Sequence, residues 1–385
     1  MFMILCRMLV RTGAVALVLL MLMGGSVFAA EGPILIGSIF AHTGKAAEEN
    51  TPNYLMARMA AQSINKSGGV LGRRIRLIEL DNQSSVLGAR QAAVDAVNAG
   101  VVAVVGPSWS SHAMAMAPIF QKAGIPMVGA TTTSPKVTQV GDFIFRACYT
   151  DKTQASALAR FAYEDLGARR VSMLVVAGDV FSEGIADFFK QDFEEMGGRV
   201  VNRYPYLLSS MDFGKQLASV ETDKVDLLLV PGFARDSGLI IMQARKMGLT
   251  IPILGGDGWA ALEQYPYVDE LKGDNYFSSH WHPDTDTPES RSFVRLMKKE
   301  LGDNVLNLID SGNPVAYDAL QLLAEAIRRA GSAEPKDIRD SLATLKDFKA
   351  VTGTISYAGS RDPVKPVVLL RIENHSVQFV KTVRP

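Results

Sequence analysis

Two hydroxyl-rich loops hold the residues most capable of chemistry in this chain: Gly106-Pro-Ser-Trp-Ser-Ser111 and Ala130-Thr-Thr-Thr-Ser-Pro135. Each follows a short apolar run, Val101-Val-Ala-Val-Val105 and Pro126-Met-Val128. Between them, His112 to Ala123 places Met114, Ile119 and Phe120 among small residues, as a helix would. Apolar runs of this length fit strands buried on both faces of a parallel sheet. Both loops then stand at the carboxyl ends of neighbouring strands, where open α/β sheets bind ligands. Hydroxyls and free backbone N–H groups beside a helix N-terminus favour an anion. A plainer reading is also open, in which Ser110 or Ser111 caps the helix and the threonines form a turn.

The signatures of catalysis are missing. No Gly-x-Gly-x-x-Gly follows the first strand, where the sequence is Ile36-Gly-Ser-Ile-Phe-Ala-His-Thr-Gly44. There is no phosphate-binding Gly-x-x-x-x-Gly-Lys-Ser/Thr loop and no Gly-x-Ser-x-Gly nucleophile elbow. His280 and His282 flank Trp281 and would share a strand face, but no third metal-ligand type clusters nearby, so no metal or cofactor is expected. An exported enzyme is disfavoured on these grounds.

The elements that must position the loops alternate almost throughout. Ile34–Phe40 reads as a strand, 53–65 as a helix, 74–80 as a strand and 86–99 as an alanine- and valine-rich helix. With the two loops this makes one doubly wound parallel half. A second half of the same pattern begins near Asp151. It has helices at 152–166, 182–196 and 236–247, and strands at 171–176, 200–206, 226–230 and 251–254. The last strand runs into Gly255-Gly-Asp-Gly-Trp259. Beyond 277–280 the pattern changes to helices at 289–301 and 314–330. Strands follow around 351–357, 367–373 and 377–382. Pattern alone assigns those helices to the second half or to a third domain.

The N-terminus reads as an export signal. Arg7 and Arg11 are the only charges before Glu31, Thr12 to Met23 is apolar, and Val27-Phe-Ala29 supplies small residues for cleavage after Ala29. The apolar core is shorter than the ~20 residues of a spanning helix. A start at Met8 would leave a more ordinary signal. Cys6 precedes the apolar core and so is not a lipid-bearing cysteine. Removing both arginines leaves 38 basic against 40 acidic residues, which argues against a nucleic-acid surface. A mature chain of 356 residues suggests two domains, and its single cysteine, Cys148, excludes an internal disulfide.

The order and spacing of several short segments resemble the leucine/isoleucine/valine-binding family of ABC-importer substrate-binding proteins. They are Thr43-Gly44, Ile64-Asn-Lys-Ser-Gly-Gly-Val-Leu-Gly72, Val105-Gly-Pro107, Phe145-Arg146, Asp212-Phe213, Gln243-Ala-Arg245, Gly256-Asp-Gly258, Ala316-Tyr-Asp-Ala319 and Val351-Thr-Gly353. The resemblance covers essentially the whole mature chain. It implies an α/β fold of two doubly wound, Rossmann-like lobes joined by a three-crossover hinge, the type I periplasmic binding protein fold. Residues 1–29 would be the signal, 30–150 plus 281–360 lobe one, and 151–280 plus 361–385 lobe two. The last helices thereby move to lobe one.

The same resemblance implies a non-catalytic periplasmic monomer that passes an amino acid to an ABC permease in the inner membrane. Ser110, with Ser111 as substitute, and Thr133 would hold the ligand carboxylate, while Thr131 and Thr132 would offer carbonyls to the ammonium. Asp257, from the other lobe, would pair with that ammonium. Phe181 and Phe233 would form the side-chain pocket, and Trp259 would close it or pack beneath it. Glu49 falls where such binders place an aromatic residue, which leaves open a polar or cationic side chain. An apolar or aromatic amino acid is the leading expectation. A small aromatic or aliphatic carboxylate or amide, or a sensory ectodomain with the same site, are the alternatives.

Overall fold

The structure is a computed structural model and describes residues 32–303, 312–373 and 376–384, apart from the side chains of 48, 49 and 51. The export signal lies outside the described residues, as does the Glu49 side chain. No helix among the described residues is long and apolar enough to cross a membrane.

Two sheets organise the chain. The first contains β1 (Ile34–Phe40), β2 (Ile75–Asp81), β3 (Ala103–Val105), β4 (Met127–Gly129) and β5 (Ile144–Arg146), in the order β2-β1-β3-β4-β5. All its pairings are parallel. β3 and β4 are wholly buried, as expected of strands covered on both faces. Successive side chains point to opposite faces, so Ile34, Ile36, Ala103 and Val105 join one core while Ile39, Val104 and Met127 join another.

The second sheet holds β6 (Arg170–Val176), β7 (Arg199–Tyr206), β8 (Leu227–Val230), β9 (Ile253–Gly255) and β10 (Asn275–Ser279), with β13 (Val367–Glu373) and β14 (Ser376–Val383) added at one edge. Its order is β14-β13-β10-β9-β8-β6-β7. The five parallel strands thus repeat the 2-1-3-4-5 winding of the first sheet, and the two late strands are antiparallel. This is the expected doubly wound α/β architecture.

Helices α1 (Ala47–Lys66), α2 (Val86–Asn98) and α3 (Ser110–Ala123) belong to the first sheet, and α4 (Asp151–Arg160), α5 (Val180–Glu195), α6 (Gly214–Asp223) and α7 (Ala234–Lys246) to the second. The later helices α8 (Pro288–Leu301), α9 (Asn313–Ala330) and α10 (Pro335–Thr344) return to the first. Phe293, Met297, Leu320, Leu323, Ile338 and Leu342 share a core with Ile34 and Ile36. Pattern alone misplaces these helices because their apolar stripes would fit any apolar face. The strand expected around 351–357 is instead a short antiparallel pair, β11 (Phe348–Ala350) and β12 (Gly353–Ile355). The chain passes between the sheets after β5, after β10 and again before β13.

Candidate functional site

The carboxyl ends of the two sheets face one another across a cleft. A cavity of about 50 Å³ lies between them, more than the ~10–15 Å³ one water needs. Its first-sheet wall is Asn50, Asn53, Ser108, Trp109, Ser110, Thr131 and Gly312, and its second-sheet wall is Phe181, Phe233, Asp257, Gly258 and Ala260. Among the described residues, no lysine or arginine lines it.

Ser110 opens α3 directly after β3. The chain reaches it through Gly106, where φ is +100° and a Cβ would meet the Ile39 carbonyl oxygen at 2.3 Å, so only glycine fits. The N-cap residue is Trp109, which makes no side-chain capping bond. Neither serine caps the helix, and its first N–H groups carry the positive end of the helix dipole toward the cavity. Ser110 is buried and its Oγ accepts from the Ser134 N–H at 3.1 Å. Ser111 is not on the cavity wall. One residue further along a helix turns the side chain by about 100°.

The threonine run separates in the same way. Thr131 is on the wall, and its hydroxyl donates to the Ser108 carbonyl at 3.2 Å. Thr132 and Thr133 are fully buried and do not line the cavity. The Thr132 carbonyl, expected to face an ammonium, instead accepts from the buried Arg146 guanidinium. Arg146 also donates to the Ser134 carbonyl at 2.8 Å and forms an ion pair with Asp362 at 2.6 Å. The Thr131 carbonyl accepts from the Thr133 N–H at 3.1 Å, and the Thr133 carbonyl from the Asp151 N–H at 2.8 Å.

Asp257 begins a short turn after β9. Its N–H donates to Gln154 Oε1 at 3.2 Å, and Gln154 in turn donates to Asp151 at 3.0 Å. Asp257 Oδ2 lies 2.9 Å from His280 Nε2, while its buried Oδ1 has no partner. Burial lowers the His280 pKa, opposed by Asp257. Burial likewise raises the Asp151 carboxyl well above the usual range, and the nearby Asp257 adds to the effect, with Thr133 and Gln154 opposing. At neutral pH the imidazole beside Asp257 is therefore neutral.

The apolar lining is aromatic. Phe181 stands in the first turn of α5, which the Asp179 side chain caps through the N–H groups of Phe181 and Ser182. Phe233 precedes α7 and lies 5.5 Å from Phe181, ring centre to ring centre. Trp109 reaches over from the first sheet to within 4.4 Å of Phe233. Trp259 does not close the pocket. It is fully buried, donates to the Val230 carbonyl at 3.0 Å and packs beneath Gly255.

Sequence reasoning missed Asn50, Asn53, Ser108, Trp109 and the support from His280, Gln154 and Arg146. Asn50 and Asn53 sit one helical turn apart on α1, a polar pair that signals a shared face. Asn53 donates to Ser108 Oγ at 3.0 Å and accepts from Asn313 at 3.0 Å. The buried Asn50 Oδ1 has no partner.

Residues 33–376 match the periplasmic binding protein family. The chain is 27% identical over 336 residues to the Leu/Ile/Val-binding protein BraC3 of Rhizobium johnstonii, covering 86% of this chain and 89% of that one. It superposes on the leucine-binding protein LivK of Thermotoga maritima with a TM-score of 0.83 at 31% identity, covering 91% and 99% of the two chains. The branched-chain amino acid substrate-binding protein LivJ of Streptococcus pneumoniae, crystallised with isoleucine, gives 0.84 at 27% identity, covering 92% and 100%.

Proposed function

The chain belongs to the periplasmic binding protein family, among its branched-chain amino acid binding members, and on that premise we propose that it captures an L-amino acid between its lobes and hands it to an ABC permease. It acts by binding, not catalysis. Freed from its signal after Ala29, it would work outside the cytoplasmic membrane as a monomer, with residues 30–150 and 281–360 closing against 151–280 and 361–385.

Opposite walls of the cavity support this reading. On one, the buried Asp257 Oδ1 lacks a partner. On the other, Ser110 stands at the uncapped start of α3. A zwitterion answers both, with its ammonium on Asp257 and its carboxylate on Ser110 and the helix N–H groups. Thr131 flanks the carboxylate, and Thr133, whose buried hydroxyl does not line the cavity, would have to turn to join. Only the closed form makes both sets of contacts, so binding favours closure. Phe181, Phe233 and Trp109 favour an apolar or aromatic side chain. The unpartnered Asn50 Oδ1 favours a second reading, in which the ligand side chain carries a hydrogen-bond donor.

Calorimetric titration of the mature protein with leucine, phenylalanine, glutamine and arginine tests this. The amino acid that binds should lose at least about tenfold in affinity in Asp257→Ala, since hydrogen bonds to charged groups contribute about 1.5–3 kcal/mol. Ser110→Ala should lose less, because the helix N–H groups remain. Unchanged affinity in both variants refutes the clamp. Binding of none of the four, but of a plain carboxylic acid, discards the amino acid and keeps the anion site.

A further inference from the structure

His280 belongs to none of the ligand-facing walls, yet the machinery around Asp257 converges on it. It sits just beyond β10, where the chain crosses back to the first sheet, and its side chain is fully buried. Nε2 meets Asp257 Oδ2 at 2.9 Å. The Tyr149 ring, from the crossover after β5, covers the imidazole with ring centres 4.0 Å apart. Lys365, from the crossover before β13, is near enough to act on its charge. All three passages of the chain between the sheets therefore run close to this ring.

We propose that His280 is the positioning residue for the ligand ammonium: it holds Asp257 by one oxygen and leaves the other without a partner for the amino acid. This rests on the amino-acid reading above. The geometry supports it in two ways. A carboxylate anchored only through its backbone could turn its side chain; with Oδ2 bonded to a ring that is itself packed against Tyr149, Oδ1 is left without a partner on a residue that lines the cavity. The choice of donor matters equally. A lysine or arginine at this place would neutralise Asp257 and weaken its attraction for a second cation. A neutral imidazole N–H stabilises the ionised carboxylate without cancelling its charge. Burial holds the imidazole neutral, as the direction of its pKa indicates. Asp257 is the group that would favour a charged ring, and Lys365 opposes one. The Tyr149 hydroxyl, Cys148 and Asp151 also act on Asp257, and burial raises the pKa of each.

The test compares the amino acid that binds most tightly with its deaminated analogue, leucine with 4-methylpentanoate for example, in wild type, His280→Gln, His280→Leu and Asp257→Asn. Glutamine offers an amide N–H near the position of Nε2; leucine offers none. We expect His280→Gln to bind the amino acid within about threefold of wild type. His280→Leu should lose about tenfold or more for the amino acid while binding of the deaminated acid stays unchanged, because only the ammonium uses Asp257. A merely structural role for His280 would weaken both ligands alike, and that result overturns the proposal, as does full retention of amino-acid affinity in His280→Leu. Should His280→Leu fail to fold, a loss in His280→Gln matching that of Asp257→Asn overturns it. If Asp257→Asn is silent, the ammonium clamp itself is wrong, whatever the histidine variants do. No response to any amino acid overturns both.

Discussion

His112 shows what the cleft asks of a single side chain. It lies in the first turn of α3, is 2% exposed and packs on Trp109 with ring centres 5.4 Å apart. Burial pushes its pKa down from 6.5 to about 4, with only the Ser84 backbone opposing. Above pH 6.5 neither the folded nor the unfolded chain protonates it. Between pH 6.5 and about 4 the unfolded chain binds the proton and the folded chain does not, so stability falls as pH falls through that window. The loss approaches about 3 kcal/mol at the lower end, on the scale of ~1.4 kcal/mol per unit. His112→Gln should therefore lose less stability than wild type between pH 7.5 and 4.5 in urea unfolding. Equal losses would show that the imidazole is not held neutral by burial.

At the next scale, each ligand-facing group depends on how tightly its element turns. After β9 the backbone passes so close to its neighbours that a Cβ on Gly258 would stand 2.5 Å from the Gly232 carbonyl oxygen and 2.9 Å from the Phe181 ring. Gly258→Ala is expected to cost about 1–3 kcal/mol of stability, as overpacking does. It should also weaken ligand binding, because Phe181 must move into the cavity. Denaturant unfolding and calorimetry measure the two losses, and a variant with wild-type stability and affinity would contradict this geometry. Beneath the threonine loop, Arg146 plays the corresponding part by bonding the carbonyls of Thr132 and Ser134 from below.

Across the molecule, the crossovers after β5 and before β13 are fastened to one another and to the loop between β11 and β12. Lys365 Nζ donates to the Ala147 carbonyl at 2.9 Å and to Thr352 Oγ1, while Asp318 accepts from the N–H groups of Val351 and Thr352 at 2.8 and 2.9 Å. Burial lowers the Lys365 pKa, and Asp318 opposes that shift. On the far side, across the cleft, Trp109 meets Phe233. Saturation with ligand should reduce the radius of gyration measured by small-angle X-ray scattering. Trp109→Ala, lacking that contact between lobes, should need more ligand for the same contraction. A radius that does not change on saturation of the wild type would refute closure.

Much of this was legible in the sequence because it is local. Strand and helix periods, the hydroxyl loops after β3 and β4, and the Gly-Asp-Gly turn after β9 are properties of short segments, and winding places such loops at carboxyl strand ends. The tertiary structure alone decided which members of each local group face the cleft. Ser110 lines it and Ser111 does not, Thr131 does and Thr132 does not, and the aromatic reaching across is Trp109 rather than Trp259. It also decided the pairings between distant residues: Gln154 with Asp257, 103 positions apart, and Asp257 with His280, 23 apart. A pattern within one element sets which way its side chains point relative to each other. Which of them meet a partner depends on how separately wound segments come together, and no segment encodes that by itself.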